Sequence, residues 1–397
     1  MTDTPSRRLV LGLTGGIAAY KAAELLRLLT QAGADVQVVM TDAATRFITP
    51  VTLQALSGNP VFTDLWDTRI ANGMAHIDLS RAADFIIIAP ASADFLAKLA
   101  HGICDDLLST LSLARDCPLL VAPAMNRQMW EHPATQRNVT LLRNDGVAVL
   151  GPDSGSQACG ESGMGRMLEP ESLADEIMGW FEPKVLAGYR ILVTAGPTFE
   201  RIDAVRGITN SSSGKMGFAV ARAAREAGAE VTLVSGPTAL SAAAGVKLKR
   251  VTSAQEMLGA VEDSLGDCQI FISVAAVADY TPLHPQEQKI KKDARILALE
   301  LAPTPDILAN VANRANPPFC VGFAAESEKL DEYAEAKRKR KHLPLLAANI
   351  AQDSIGADDS EIVLFDEQGR HPLPKASKLI QARRLIRHIA KLYPGHP

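Results

Sequence analysis

The chain has 397 residues, 47% hydrophobic and 22% charged, an ordinary globular composition that exceeds what one hydrophobic core usually fills, so two domains are expected. Its net charge of -4 gives no electrostatic case for nucleic acid or an anionic membrane as the main partner. Cys104, Cys117, Cys159, Cys268 and Cys320 are scattered without a C-x-x-C pair, which favours a reducing cytoplasm over a disulfide framework, and no stretch approaches the roughly 20 apolar residues of a membrane span.

The apolar run Leu9 to Leu13 is too short for the core of a signal peptide and ends in Thr14, Gly15 and Gly16, so it reads as a first strand. A helix from Ala18 to Gln31 and a strand from Val36 to Met40 follow. Further strands are predicted over 85–89, 119–122 and 147–150, each bounded by turn residues and separated by helix-compatible sequence. After a helical segment at 170–181, a linker is placed at 183–188, dividing residues 1–182 from 189–397. The pattern then restarts with a strand over 190–194, the turn Ala195-Gly-Pro197, a helix over 218–226 and a strand over 231–235. Residues 32–39 resemble 227–234, which shared βαβ grammar explains without duplication. Buried strands are expected at 270–274 and 319–323, joined by 362–365. Between them lie a proline-rich loop at 281–285, a lysine-rich stretch at 289–292 and a basic helix over 331–342, followed by the apolar segment 343–350. The alternation predicts an α/β protein of two Rossmann-like domains with mainly parallel sheets.

In the first half, Thr14-Gly-Gly-Ile17 follows a strand and opens a helix, where backbone N–H groups can hold a phosphate. The spacing departs from G-x-G-x-x-G, and Thr41 rather than an acid ends the second strand, so a single phosphate fits better than a dinucleotide pyrophosphate. A plain tight turn is the alternative. His76 follows a loop and, taken alone, reads more readily as structural than as catalytic. Asn126 follows a strand end, where open α/β sheets bind ligands, though a turn residue suits that position too. Cys159 sits among Gly155, Gly160, Gly163 and Gly165, in a loop that can close over a site and present a thiol as an acid; an inert cysteine is the alternative.

Together with Pro90-Ala-Ser-Ala-Asp-Phe95, Gly102-Ile-Cys-Asp-Asp-Leu-Leu-Ser-Thr110 and Val39-Met-Thr-Asp-Ala-Ala44, these segments resemble the flavin-containing cysteine decarboxylases over most of residues 8–180. The resemblance implies a flavodoxin-like domain with FMN near Gly15, Gly16, Thr41, Ser92, Ser109 and Thr110, and 4′-phosphopantothenoylcysteine as substrate. A saturated amino-acid carboxylate has no electron sink, whereas oxidation at the thiol-bearing carbon gives a thioaldehyde that accepts the electrons released with carbon dioxide. On this resemblance His76 is the base, Asn126 orients the carboxylate and Cys159 returns a proton. Cys104 stands where that family usually carries a smaller residue, which reads as a tolerated packing change.

In the second half, Arg206-Gly-Ile-Thr-Asn-Ser-Ser-Ser-Gly-Lys-Met-Gly217 is dense in amides, hydroxyls and one lysine just before a helix and suits phosphate, although it is not a Walker A loop; a serine-rich cap is the alternative. Val274-Ala-Ala-Val-Ala-Asp-Tyr280 delivers Asp279 to a strand's carboxyl end. Lys289-Ile-Lys-Lys292 and Lys337-Arg-Lys-Arg-Lys341 supply charge that can offset a pyrophosphate leaving group or simply form solvated faces.

Residues 188–392 resemble phosphopantothenate–cysteine ligase, and the whole chain resembles the bacterial bifunctional coenzyme A biosynthesis flavoproteins. The resemblance implies that 4′-phosphopantothenate is activated by CTP as an acyl cytidylate, and that the amine of L-cysteine then displaces CMP. Asn210 would handle the cytidylate and Lys289 support its formation. Ser273, Val274, Ala275, Asp279, Lys289, Pro305, Asp306, Ile307, Leu308, Phe323, Lys337 and Lys341 would bind CTP. Pro344 departs from the aspartate common there, which alters the expected hinge of the basic flap. Mg2+ is implied by the CTP chemistry; no set of metal ligands is identified in the sequence. The family also implies trimers and dimers combining into a homododecamer. Two other readings compete, a tandem-Rossmann NAD(P) oxidoreductase and a non-catalytic flavin-binding regulatory subunit. The missing dinucleotide fingerprint weighs against the first, and Cys159, Asn210 and Lys289 weigh against the second.

Overall fold

The computed structural model describes residues 7–67, 69, 73–157, 160–243, 245–291, 297–326, 330–350 and 357–393. Contacts divide the chain into Met1–Phe181 and Glu182–Pro397.

The first unit runs β1 (Arg7–Leu13), α1 (Ala19–Gln31), β2 (Ala34–Met40), α2 (Asp42–Thr45), α3 (Pro50–Ser57), α4 (Ala75–Ala82), β3 (Phe85–Ala91), α5 (Ala93–His101), α6 (Leu107–Ala114), β4 (Leu119–Pro123), α7 (Arg127–Glu131), α8 (Pro133–Asn144), β5 (Ala148–Val149), β6 (Asp153–Ser156), β7 (Ser162–Arg166) and α9 (Pro170–Trp180). Its five-stranded sheet has the order β2-β1-β3-β4-β5 and is parallel throughout. Both faces are buried, which explains the near-continuous apolar runs. Leu9, Leu11, Ile87 and Leu120 pack with Leu25 and Leu26 of α1, while Val10, Ile86, Ile88 and Val121 pack with Phe95 of α5 and Leu108 of α6. The glycine-bearing stretches 153–156 and 162–166, expected to be loop, pair as the antiparallel β6–β7 hairpin.

The second unit runs β8 (Arg190–Ala195), β9 (Phe199–Arg201), β10 (Gly207–Thr209), α10 (Lys215–Glu226), β11 (Glu230–Ser235), β12 (Val246–Arg250), α11 (Ala254–Leu265), β13 (Ile270–Ser273), β14 (Tyr280–Pro282), β15 (Leu301–Pro303), α12 (Ile307–Ala312), β16 (Phe319–Glu326), α13 (Leu330–Arg340), β17 (Leu345–Ile350), β18 (Asp359–Asp366), β19 (Gly369–Ser377) and α14 (Lys378–Leu392). Its eight strands follow the order β12-β11-β8-β13-β16-β17-β18-β19, parallel as far as β17 and then antiparallel. The strand expected at 362–365 is the centre of β18. Its partner β19 carries Pro372 and Pro374 and occupies the sheet edge, where missing N–H donors cost least.

Helix α14 is fastened to α10 by a buried ion pair: Arg383 donates to both oxygens of Glu226 at 2.7 and 3.0 Å, and Arg222 adds a contact at 2.9 Å. Among the described residues no helix is long and apolar enough to cross a membrane. Burial pushes the thiols of Cys268 to about 11 and Cys320 to about 12, which makes both poor nucleophiles at neutral pH.

Candidate active sites

In the first unit the candidates gather at the carboxyl ends of the parallel strands, the face where such sheets bind ligands. Thr14 links two of these ends. Its hydroxyl donates to Pro90 O at 2.7 Å and accepts from Ser92 N at 2.9 Å. Gly15 passes so close to α2 that a Cβ would lie 2.6 Å from that of Ala43, whereas a Cβ on Gly16 would meet nothing within 4 Å. The first glycine is needed for packing and the second leaves open space.

Thr41, Ser92 and Asn126 are all helix N-caps. Thr41 Oγ1 accepts from Ala44 N at 3.3 Å, Ser92 Oγ from Phe95 N at 3.2 Å and Asn126 Oδ1 from Met129 N at 2.9 Å. The turn-residue reading of Asn126 therefore holds for its oxygen. The hydroxyls of Ser109 and Thr110 both donate to Asp106 O, within the capping box of α6.

His76 lies in the first turn of α4, and its Nδ1 is buried with no hydrogen-bond partner among the described residues. A buried imidazole nitrogen without a partner costs free energy unless a ligand or water completes it. The segment carrying Asn126 is tied to the hairpin, since Met125 N donates to Gly165 O at 2.9 Å and Arg127 N to Gln157 Oε1 at 3.0 Å. Cys159 itself lies outside the described residues. Cys104 is exposed, so its extra bulk displaces no core atoms and the packing explanation is not needed.

In the second unit a cavity of about 770 Å³ opens at the carboxyl ends of β8, β13 and β16. It gathers segments far apart in sequence. Asn210, Ser273, Val274, Ala275, Asp279, Pro305, Asp306, Ile307, Leu308, Phe323, Lys337 and Lys341 all line it. Three features position them. Gly217 lets α10 approach β8 so closely that a Cβ would sit 2.4 Å from that of Ala195, and Gly214 enters the helix at a φ of +78°. Asn210 Nδ2 donates to Ala276 O and Val277 O at 3.0 and 3.1 Å, pinning the serine loop to the strand end and leaving its oxygen as acceptor. Asp306 caps α12 through Ala309 N at 3.0 Å.

The cavity's cations are already engaged. Lys341 Nζ lies 2.6 Å from Asp306 Oδ2 and 2.9 Å from Oδ1, and Lys337 Nζ donates to Phe323 O at 3.2 Å. Burial alone would raise the Asp306 carboxyl. Hydrogen bonds from Lys341 and Ala309, with the charges of Lys341 and Lys337, hold it below its ordinary value.

Two further lysines line the cavity: Lys215, expected among the phosphate-suited groups of its motif, and Lys378, which was not expected there. Lys215 pairs with Asp358, and Lys378, pushed down first by burial and then by Lys215, stands at the start of α14. Lys215 lay within the quoted glycine-serine motif; nothing local marked Lys378.

Lys289 does not line the cavity. It is exposed on a loop anchored next door, where Ile290 N donates to Asp203 Oδ2 at 3.1 Å and Ile290 O accepts from Arg206 at 2.7 Å. Lys292 lies outside the described residues. Arg206 and three backbone N–H groups hold the Asp203 carboxyl far below its ordinary value against the opposing effect of burial.

Residues 1–182 match the family described as Flavoprotein, and residues 186–393 match the DNA/pantothenate metabolism flavoprotein C-terminal domain. The chain is 50% identical over 384 residues to the coenzyme A biosynthesis bifunctional protein CoaBC of Vibrio cholerae, covering 95% of this chain and 96% of that one. It is 47% identical to the Escherichia coli K12 protein of the same name over 98% of this chain and 97% of that one. For the Bacillus subtilis protein the identity is 42%, with the same coverages.

Proposed function

The chain belongs to the bifunctional coenzyme A biosynthesis proteins, which ligate and then decarboxylate, and from that premise we propose which unit carries each step and with which residues. Residues 1–182 carry the decarboxylase and residues 189–397 the ligase, joined through 183–188. The observation that carries the ligase assignment is the single cavity lined by twelve residues singled out from sequence, with Lys337 and Lys341 on one wall.

The ligase co-substrate is CTP with Mg2+. Its triphosphate meets Lys337 and Lys341, which exchange Phe323 O and Asp306 for phosphate oxygens, while the amides before α10 add donors at a helix N-terminus. Ser273, Val274, Ala275, Asp279, Pro305, Asp306, Ile307, Leu308 and Phe323 enclose the nucleoside, with the carboxylate of Asp279 also at hand for Mg2+. The free oxygen of Asn210 faces the acyl cytidylate formed from 4′-phosphopantothenate. L-cysteine's amine then displaces CMP. Lys289 is assigned to cytidylate formation by family resemblance, since the Asp203 anchor holds its loop outside the cavity wall.

The orphaned nitrogen of His76 and the open space beside Gly16 fit a flavin with its phosphate at the β1 turn. FMN, when bound, would supply a reversible two-electron oxidation that gives the departing carboxylate an electron sink and is undone once carbon dioxide has left, so the cycle is redox-neutral. Gly15, Gly16, Thr41, Ser92, Ser109 and Thr110 hold it. His76 Nδ1 takes a proton from the substrate, Asn126 Nδ2 orients the carboxylate and the Cys159 thiol returns a proton to the product. Cys159→Ser in the full chain therefore stops decarboxylation and accumulates 4′-phosphopantothenoylcysteine while CMP release continues. Loss of both activities would contradict separate sites. The protein is cytoplasmic and assembles as a homododecamer from trimers and dimers, a reading supported by resemblance alone.

A further inference from the structure

A second cluster of chemistry-bearing side chains lies in the ligase unit at the edge of its sheet, and none of its members lines the nucleotide cavity. Strand β18 ends at Asp366, a tight turn follows, and β19 returns with His371 opposite Leu364. Helix α14 brings His388 to the same point. The two imidazole rings stand 4.8 Å apart, and the three potential ligand atoms lie within 4.8 Å of one another.

The Asp366 carboxylate is 1% exposed, with His388 at 17% and His371 at 33%, so the group is sheltered but reachable from the His371 side. Oδ2 faces His388 Nε2 at 2.8 Å. Oδ1 is oversubscribed. It accepts from Gln368 N at 2.7 Å and Gly369 N at 3.1 Å, which close the turn, and His371 Nε2 competes as a third partner at 3.0 Å. A carboxylate oxygen has two lone pairs, and the turn already uses both. The nearby guanidinium of Arg338 does not pair with this carboxylate; its Nε and Nη2 donate to Glu335 at 3.0 Å each.

We propose that Asp366, His371 and His388 form a site for a divalent transition-metal ion of the zinc class, which fastens α14 to the β18–β19 hairpin. Two neutral imidazoles and one carboxylate match the donor preference of Zn2+, whereas Mg2+ and Ca2+ favour all-oxygen sets. With a cation present, the imidazole nitrogens turn lone pairs to the metal, Oδ2 serves as the third ligand and water completes the shell. Oδ1 keeps its two turn N–H groups, and the surplus contact is resolved. Because the ligands come from a strand end, an edge strand and the terminal helix, metal binding stabilises the ligase unit specifically.

The test uses the full-length protein, stripped with a chelator and equilibrated by dialysis against zinc sulfate, beside His371→Gln and His388→Gln. Bound zinc is counted by atomic emission, and unfolding is followed by calorimetry. Wild type should hold one zinc per chain more than either variant. Affinity at this site should fall by more than about tenfold in the variants, since even the partners of ligands cost about 10- to 100-fold when lost. Zinc should raise the ligase-unit midpoint of wild type alone. Equal zinc in wild type and His371→Gln would overturn the proposal and leave a hydrogen-bonded cluster only. His371→Gln decides the question even if His388→Gln fails to fold, because residue 371 is one-third exposed and glutamine retains a donor.

Discussion

Replacing Lys341 by alanine isolates the cavity's nucleotide contact. In the structure its ammonium is bound by both oxygens of Asp306, with Lys341 16% and Asp306 50% exposed. Nucleotide binding must exchange that pair for phosphate oxygens, so the net gain is a difference of two interactions. A hydrogen bond to a charged group contributes about 1.5–3 kcal/mol. The existing, partly exposed pair offsets up to about 1 kcal/mol. About 0.5–2 kcal/mol remains after that offset, which corresponds to a rise of about 2- to 30-fold in the KM for CTP. Initial rates of CMP release against CTP concentration measure it, with decarboxylation of supplied 4′-phosphopantothenoylcysteine as an internal control. Asp306→Asn should act in the opposite direction, because asparagine keeps the α12 cap and frees Lys341. A KM for Lys341→Ala within about twofold of wild type, less than 0.5 kcal/mol, would refute the exchange argument.

Other substitutions test the frame and the flavin half. Arg383→Met strands Glu226, which keeps only the Arg222 contact among those described above; breaking such a buried pair costs about 3 kcal/mol, lowering the ligase-unit midpoint by about 6–12 °C by calorimetry. Adding Glu226→Leu should recover much of that loss. His76→Gln should abolish carbon dioxide release while leaving CMP release at the wild-type rate, because His76 and the nucleotide cavity belong to different units. The Asp203 carboxyl is depressed in the folded protein, so its contribution is complete above the ordinary carboxylate value of about 3.9 and fades as pH falls below it towards the lower folded value. Thermal midpoints of Asp203→Asn should therefore lie below wild type at neutral pH and converge with it in acid; parallel profiles would remove the linkage.

Much of this architecture was readable in the chain because both sheets are buried on two faces. Ile86, Ile87 and Ile88 leave no helical periodicity to compete with a strand, and Gly15 and Gly217 mark the points where helices approach strands closely. The edge was harder. Pro372 and Pro374 argue against a strand anywhere except an outer position, and only the tertiary pairing with β18 reveals that position. Residues 153–156 and 162–166 carry glycines that leave no alternating pattern, although backbone pairing makes them the two strands of a hairpin.

The nucleotide cavity was legible where its residues sit in dense local motifs such as 206–217 and 274–280. Lys378 joins it only because α14 begins there, a long-range event with no sequence signal. Lys289 shows the converse limit: a motif fixes the residue type, whereas the anchor between Asp203 and Ile290 fixes where the loop rests. Asp366, His371 and His388 have no spacing that resembles a metal motif, since a hairpin and a distant helix bring them together.

The most direct measurement incubates the purified full-length chain with FMN, 4′-phosphopantothenate, L-cysteine, CTP and Mg2+ and reads the products by mass spectrometry. The expected product is 4′-phosphopantetheine, with CMP and carbon dioxide formed in equal amounts. Absence of CMP would contradict the assignment of the cavity, and 4′-phosphopantothenoylcysteine persisting as the end product would contradict the assignment of the flavin unit.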